Sequence, residues 1–438
     1  MHKVNLKNLN LKINGGKPVR KKKWSQNKTT DLIEAKIAYD IVKKGSLSLF
    51  EGSHKPDKPF SFSGGEQVQK LENRWSKYFN RKYAISFNSA TSCLYASIGA
   101  LNIGYGDEVI VSPFTMTACA VAPLIYGAIP VFADVEIDTG CISLSSLKQK
   151  ISKKTKAIII VHQFGFPAQM DEIYKLCKNH DIKIIEDCAQ AYDTKYKGRK
   201  VGTFGDIGVF SLNVNKTIQS GEGGVCVTNS KELCYRLKLI RNHGEAVVSS
   251  AKYKNISNIA GYNYRLTELG AAIALSQLKK LKKLNKIRLK LVNFLKKKLK
   301  PYDFLMPMKS RFECHNCSCK LKNKCFNSYY IFPIIYDKSK INLNIKKFVN
   351  LAISEGIIFY QGYTKPLYHQ PLYQKKILFK KGYPFKAKEN LKLNQNYKIK
   401  CNNAEILHNS ILINEHVRHP HDNKDMLDII KFLKKLTK

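Results

Sequence analysis

Between residues 65 and 230 the chain alternates short apolar runs with segments of helical periodicity, and this alternation constrains its fold more than any other feature. Candidate strands are Tyr83–Phe87, Glu108–Val111, Pro130–Ala133, Ala157–Val161, Ile182–Glu186, Ile207–Ser211 and Gly224–Thr228. Thr91–Leu101, Asp171–Asn179 and Lys231–Arg241 read as helices between or after them. Parallel strands need long crossovers, which helices supply. The pattern therefore predicts an α/β domain with a mainly parallel seven-stranded sheet flanked by helices. Residues 266–299 read as one long helix, with Leu284, Ile287, Leu291, Phe294 and Leu295 on one face. The remainder, to Lys438, alternates strand-like (Tyr329–Tyr336) and helical segments, as a smaller α+β domain would. The expected division is an N-terminal arm over 1–30, a large domain over 31–285 and a small C-terminal domain over 286–438.

Composition narrows the class. With 44% hydrophobic and 25% charged residues, wholesale disorder is excluded. Val109–Ala133 carries no charge, but Pro113, Pro123, Gly127 and Pro130 divide it, so strand, helix and strand are expected rather than a membrane span. Met1-His2-Lys3-Val4 opens no apolar signal segment, and Cys93, Cys119, Cys188 and Cys226 sit singly in apolar surroundings. A reduced, cytoplasmic protein with no membrane contact is the expectation. The formal charge of +42 raises a nucleic-acid reading. Lys279 to Lys300 holds eleven Lys/Arg and no acid, yet no aromatic or glycine-rich reader motif accompanies it, so a solvated helix face is expected. The surplus lysine comes with abundant Asn and Ile, which AT-rich coding explains as well as a polyanion partner does.

Four local patterns carry chemistry. Asn88-Ser89-Ala90-Thr91-Ser92 joins a strand to a helix, where small residues, hydroxyls and the helix dipole suit a phosphate, or simply an N-cap. Ile184-Ile185-Glu186-Asp187-Cys188-Ala189-Gln190 is an apolar strand ending in acid, at the sheet edge where α/β ligands bind. Asp187 there either caps a helix or meets a cation. Gly208 to Lys216, followed by Gly221-Glu222-Gly223-Gly224, sets a lysine between a strand and a glycine-rich turn, a position suited to a Schiff base. Gly261-Tyr262-Asn263-Tyr264-Arg265-Leu266-Thr267-Glu268 enters the long helix. A phosphate cradle, a strand-end carboxylate and a crevice lysine together are what pyridoxal phosphate requires.

The order Ser89-Ala90-Thr91-Ser92, GDEVI (Gly106–Ile110), Val161-His162, EDCAQA (Glu186–Ala191), GDIGVFSLNVNK (Gly205–Lys216), GEGG and GYNYRLTE resembles the DegT/DnrJ/StrS sugar aminotransferases. The likeness runs from Gly15-Gly16 to the Cys401-Asn402-Asn403-Ala404-Glu405 segment. It implies a fold-type-I pyridoxal-phosphate enzyme, in which Lys216 holds the cofactor aldehyde as an imine and shuttles the proton. By the same resemblance Asp187 partners the pyridinium, Gln190 neighbours the ring hydroxyl, and Thr91, Ser92 and Ser211 hold the phosphate. Asn263, with Arg265 a further candidate, would reach the phosphate from a second subunit, which implies a homodimer with shared sites. The family's dehydratases carry histidine in place of the lysine, so Lys216 points to transamination from glutamate or glutamine to the keto group of a nucleotide-linked sugar. A keto-cyclitol acceptor is the alternative, and a nucleic-acid-binding protein on an inactive enzyme scaffold is the rival of a different class.

Two departures stand out. Met116 occupies the place where the family stacks an aromatic ring on the cofactor. Cys314, Cys317, Cys319 and Cys325 form a C-x2-C-x-C-x5-C cluster, which fits either zinc or an unmetallated, Lys-rich insertion.

Overall fold

All seven expected strands form and join one sheet: β1 (Tyr83–Phe87), β2 (Glu108–Val111), β3 (Ile129–Phe132), β4 (Thr155–Val161), β5 (Lys183–Asp187), β6 (Ile207–Ser211) and β7 (Gly224–Thr228). The computed structural model describes residues 2, 4–6, 9–52, 59–248, 254–310, the backbone of 313–314, and 325–438. The strand order is β1-β7-β6-β5-β4-β2-β3. Strands β2 to β6 run parallel, and β7 lies antiparallel to both β6 and β1. The parallel strands are buried on both faces, which is why they read as continuous apolar runs.

Helices cover the sheet: α1 (Leu32–Lys43), α2 (Glu66–Phe79), α3 (Ala90–Ala100), α4 (Ala118–Ile125), α5 (Leu144–Lys150), α6 (Met170–Asn179) and α7 (Lys231–Arg241). The charge-free stretch resolves into β2, α4 and β3, and no helix among the described residues is long and apolar enough to cross a membrane. Helix α8 (Glu268–Leu299) runs unbroken past residues 285 and 286 and so serves both lobes. In the C-terminal lobe β8 (Leu305–Pro307), β9 (Phe332–Tyr336), β10 (Tyr360–Gln361) and β11 (Ile411–Asn414) form an antiparallel sheet in the order β8-β9-β11-β10. Around it lie α9 (Ile345–Ser354), α10 (Asn402–Ser410) and α11 (Asn423–Leu436). Cys325 is buried in a short ladder that pairs Phe326 with Lys195, whereas Cys317, Cys319 and the side chain of Cys314 lie outside the described residues.

The basic run on α8 is not a uniformly solvated face. Lys280 pairs with Asp31 and Glu34 at the start of α1, and Arg288 is only 3% exposed. The helix packs against α1, α2 and α11, so one side of the run turns inward.

The N-terminal arm is fastened to the C-terminal lobe. Fully buried Glu355 accepts the amides of Lys12 (2.7 Å) and Val19 (2.9 Å) and pairs with Lys435. Arg20 pairs with Asp425 and Asp428 on α11. Further along, the Asn27 amide donates to the carbonyls of Val214 (2.9 Å) and Lys216 (3.0 Å). Replacing Glu355 by Ala strands the Lys435 charge and two amides, and should cost about 3 kcal/mol in a denaturant titration. The same variant should show faster proteolysis within the arm.

Candidate active site

Register places the candidate residues on one edge of the sheet. Asp187, the last residue of β5, lies level with Val161 on β4 and Val209 on β6. Ser211 ends β6 beside Gly224, the first residue of β7, and Gly224 pairs in turn with Phe87 at the end of β1. The loop from Leu212 to Gly223 closes on itself through Leu212 N–Gly223 O (2.8 Å) and Ser220 N–Leu212 O (2.9 Å), and it carries Lys216 half-buried. The Lys216 ammonium lies 4.6 Å from the centre of the Tyr330 ring.

The mouth of α3 opens on the same edge. Ser89 caps the helix, its hydroxyl accepting the Ser92 amide at 3.0 Å, while the Ser92 hydroxyl donates to Asn88 Oδ1 at 2.6 Å. The first amides of the helix, at Ala90 and Thr91, precede its first hydrogen-bonded turn and are oriented for an anion. Thr91 is exposed there, and Ser211 is buried. Strand β7 comes so close that a Cβ on Gly224 would stand 2.5 Å from the Ser89 backbone, so only glycine admits this junction.

Asp187 is 7% exposed. One carboxylate oxygen accepts the Ala189 amide (2.9 Å) and the other accepts the Cys119 thiol (3.2 Å). Burial, then the Asp187 charge, hold that thiol protonated by pushing it well above its usual range. No cation pairs with Asp187 among the described residues. Gln190 is used at both ends: Oε1 accepts the Phe164 amide (2.9 Å) and Nε2 donates to the Tyr363 hydroxyl (2.8 Å). Phe114, Phe164 and Tyr363 meet edge to face around it.

Beneath the edge, Glu186 fixes how β5 ends. Its carboxylate accepts His162 Nε2 (3.1 Å) and the amides of Gly202 (2.7 Å), Phe204 (2.6 Å) and Gly205 (2.7 Å), with Glu186 and His162 both fully buried. His162 Nδ1 accepts the Ala168 amide, which places the ring proton on Nε2. Burial pushes the Glu186 carboxyl up, but His162 and the Gly205 and Gly202 amides outweigh it and hold the group below its ordinary value. His162, Glu186 and Cys188 cluster closely enough to suggest a metal, but the imidazole and carboxylate atoms are already committed to these bonds.

The sequence profile of the DegT/DnrJ/EryC1/StrS aminotransferase family matches residues 57–390. The chain belongs to that family. It is 35% identical over 320 residues to GDP-perosamine synthase of Escherichia coli O157:H7, covering 73% of this chain and 83% of that one. Helicobacter pylori PseC, an aminotransferase involved in pseudaminic acid biosynthesis, superposes with a TM-score of 0.75 at 25% identity, over 95% of this chain and 99% of its own. An aminotransferase from Psychrobacter cryohalolentis shares the fold with a TM-score of 0.78 at 23% identity, over 94% and 98% of the two chains.

The family implies pyridoxal phosphate, and the residues present fit it. A buried carboxylate lacking a cation, a helix mouth reached only past a glycine, and a half-buried lysine share one sheet edge. Met116 is 54% exposed on the turn leading into α4. Asn263 is exposed, bonded to Arg265 Nε (2.8 Å), and its loop is tied to the mouth of α3 through Asn88 N–Tyr264 O (2.8 Å). Sequence reasoning did not pick out Cys119, Tyr330, Tyr363 or Asn27 as neighbours of this edge, since each arrives from a distant segment.

Because the Glu186 carboxyl is held below its ordinary value, its stabilisation is present above the unfolded value of about 4.3 and is lost as pH falls through the lower folded one. Glu186→Gln should lower stability at neutral pH by about 3 kcal/mol and flatten the acid limb of a plot of thermal midpoint against pH.

Proposed function

We propose that the chain is a pyridoxal-phosphate-dependent aminotransferase that moves an amino group from glutamate or glutamine to the keto group of a nucleotide-linked sugar. The observation that carries the reading is the buried, cation-free Asp187 on the sheet edge that also carries Lys216. When bound, pyridoxal phosphate supplies the electron sink that makes a carbon-bound proton labile. Asp187 would hold the ring nitrogen protonated, with Cys119 and Ala189 fixing its orientation. The Ala90 amide with Thr91, Ser92 and Ser211 would bind the phosphate, and Gln190, held by the Tyr363 hydroxyl, would neighbour the ring hydroxyl. Lys216 would hold the aldehyde carbon and, once freed from it, would carry the proton between the substrate carbon and the cofactor's C4′ carbon in each half-reaction. The nucleotide-sugar acceptor is supported by the name of the relative from E. coli O157:H7.

A homodimer is part of the same reading. Helix α1 exposes Leu32, Ile33, Tyr39 and Val42, apolar side chains that a partner would cover, and Asn263 lies exposed with Arg265 half-buried two residues on. In a pair, these two side chains would complete the neighbouring phosphate site. A reducing cytoplasm suits nine cysteines without a disulfide, all buried, among the described residues.

Borohydride reduction of cofactor-loaded protein followed by peptide mapping should place the label on Lys216, and a label on any other lysine contradicts the assignment. Lys216→Ala should reduce amino transfer by at least about a thousandfold, measured as release of 2-oxo acid. Assaying a panel of nucleotide keto-sugars and inososes with glutamate and glutamine identifies the acceptor, and turnover of inososes alone would move the reading to keto-cyclitols.

A further inference from the structure

Lys216 is bracketed by two arginines for which the reading above has no use. Arg288 on α8 donates from Nη1 to the Thr217 hydroxyl (2.8 Å), one residue after Lys216. Arg418, which follows β11, brings Nη1 to 3.5 Å from the Asn215 carbonyl, one residue before it. The two side chains come from segments 130 residues apart, are 3% and 7% exposed, and meet at the same loop. Among the described residues neither forms an ion pair, each guanidinium makes that single hydrogen bond, and both Nε atoms are buried without a partner.

Two buried like charges without an ion-pair partner among the described residues are unfavourable. Burial, then the Arg418 charge, bring Arg288 down to about 9. Burial also lowers Arg418, with Glu415 and Tyr330 only partly offsetting it. Tyr330 feels both guanidiniums and sets its ring beside the Lys216 ammonium, with its amide fixed to Phe164 O (3.0 Å). The surroundings thus lack one anion, close to the reacting nitrogen.

We propose that Arg288 and Arg418 form the subsite for the carboxylate of the amino donor, Arg418 touching it and Arg288 standing behind as a fixed charge. This rests on the aminotransferase reading. A donor's carboxylate is one bond from the carbon whose proton Lys216 would move, so it must lie within a few ångströms of the Lys216 ammonium. The diphosphate of a sugar nucleotide is separated from the keto carbon by part of the sugar ring and belongs further out. A guanidinium fork also matches a carboxylate in two parallel hydrogen bonds, a geometry lysine cannot copy.

The test uses cofactor-loaded protein, with glutarate as an unreactive dicarboxylate and GDP and UDP as diphosphate probes, all measured by calorimetry. Arg418→Gln should raise the glutarate Kd about tenfold or more, with Arg418→Lys recovering part of the loss. The better-binding diphosphate should keep its affinity within about twofold, and the glutamate KM should rise while transfer from the aminated cofactor to the keto-sugar keeps its rate. Circular dichroism confirms that both variants are folded. Unchanged glutarate binding in folded Arg418→Gln overturns the subsite, and so does a loss confined to the diphosphate. Failure of the wild-type chain to load cofactor at Lys216 instead overturns the aminotransferase reading itself, and the subsite with it.

Discussion

The site depends on how strand β5 ends. Glu186 is a fully buried carboxylate whose acceptor positions are filled by His162, the residue after β4, and by three amides of the turn before β6. A charge so placed is stable only while every partner stays in register. It therefore ties the carboxyl ends of β4 and β5 to the turn that leads into β6, and Asp187, the next residue, inherits that position. Cys119 and the Ala189 amide then orient its carboxylate. The reactive edge is thus set from below, by groups that no ligand touches.

A second constraint is the glycine junction between β7 and α3. Strand β7 runs against its neighbours on both sides, and its first residue abuts the helix mouth. That contact places the amides of α3 on the same edge as Asp187. The Lys216 loop lies between them and is held from outside by Asn27 of the arm. Segments nearly two hundred residues apart in sequence thereby share one loop, which couples the arm and the C-terminal lobe to the position of Lys216.

Much of this was legible in the chain. Strands buried on both faces need apolar residues on each, so β1, β2, β6 and β7 could be bounded to the residue, and the acid ending β5 stood out against its apolar run. What the chain concealed were contacts closed only by tertiary folding, such as Cys119 on Asp187 and Tyr363 on Gln190. The basic run of α8 was the most deceptive. Its charge suggested a solvated face, yet Arg288 follows Leu284 by four residues and precedes Leu291 and Leu295 on the same stripe. An arginine on an apolar stripe was the available signal, masked by the lysines around it. The +42 charge is accordingly background for the chemistry, with the exception of Lys216 and the two guanidiniums beside it.

The central claim is that one lysine and one buried carboxylate operate on a shared cofactor ring, and a stoichiometric titration tests it most directly. Protein loaded with pyridoxal phosphate should show a visible absorbance band. Glutamate should remove that band with release of one 2-oxo acid per chain, and a nucleotide keto-sugar should restore it. A chain that takes up no cofactor, or whose band neither substrate alters, would contradict the account.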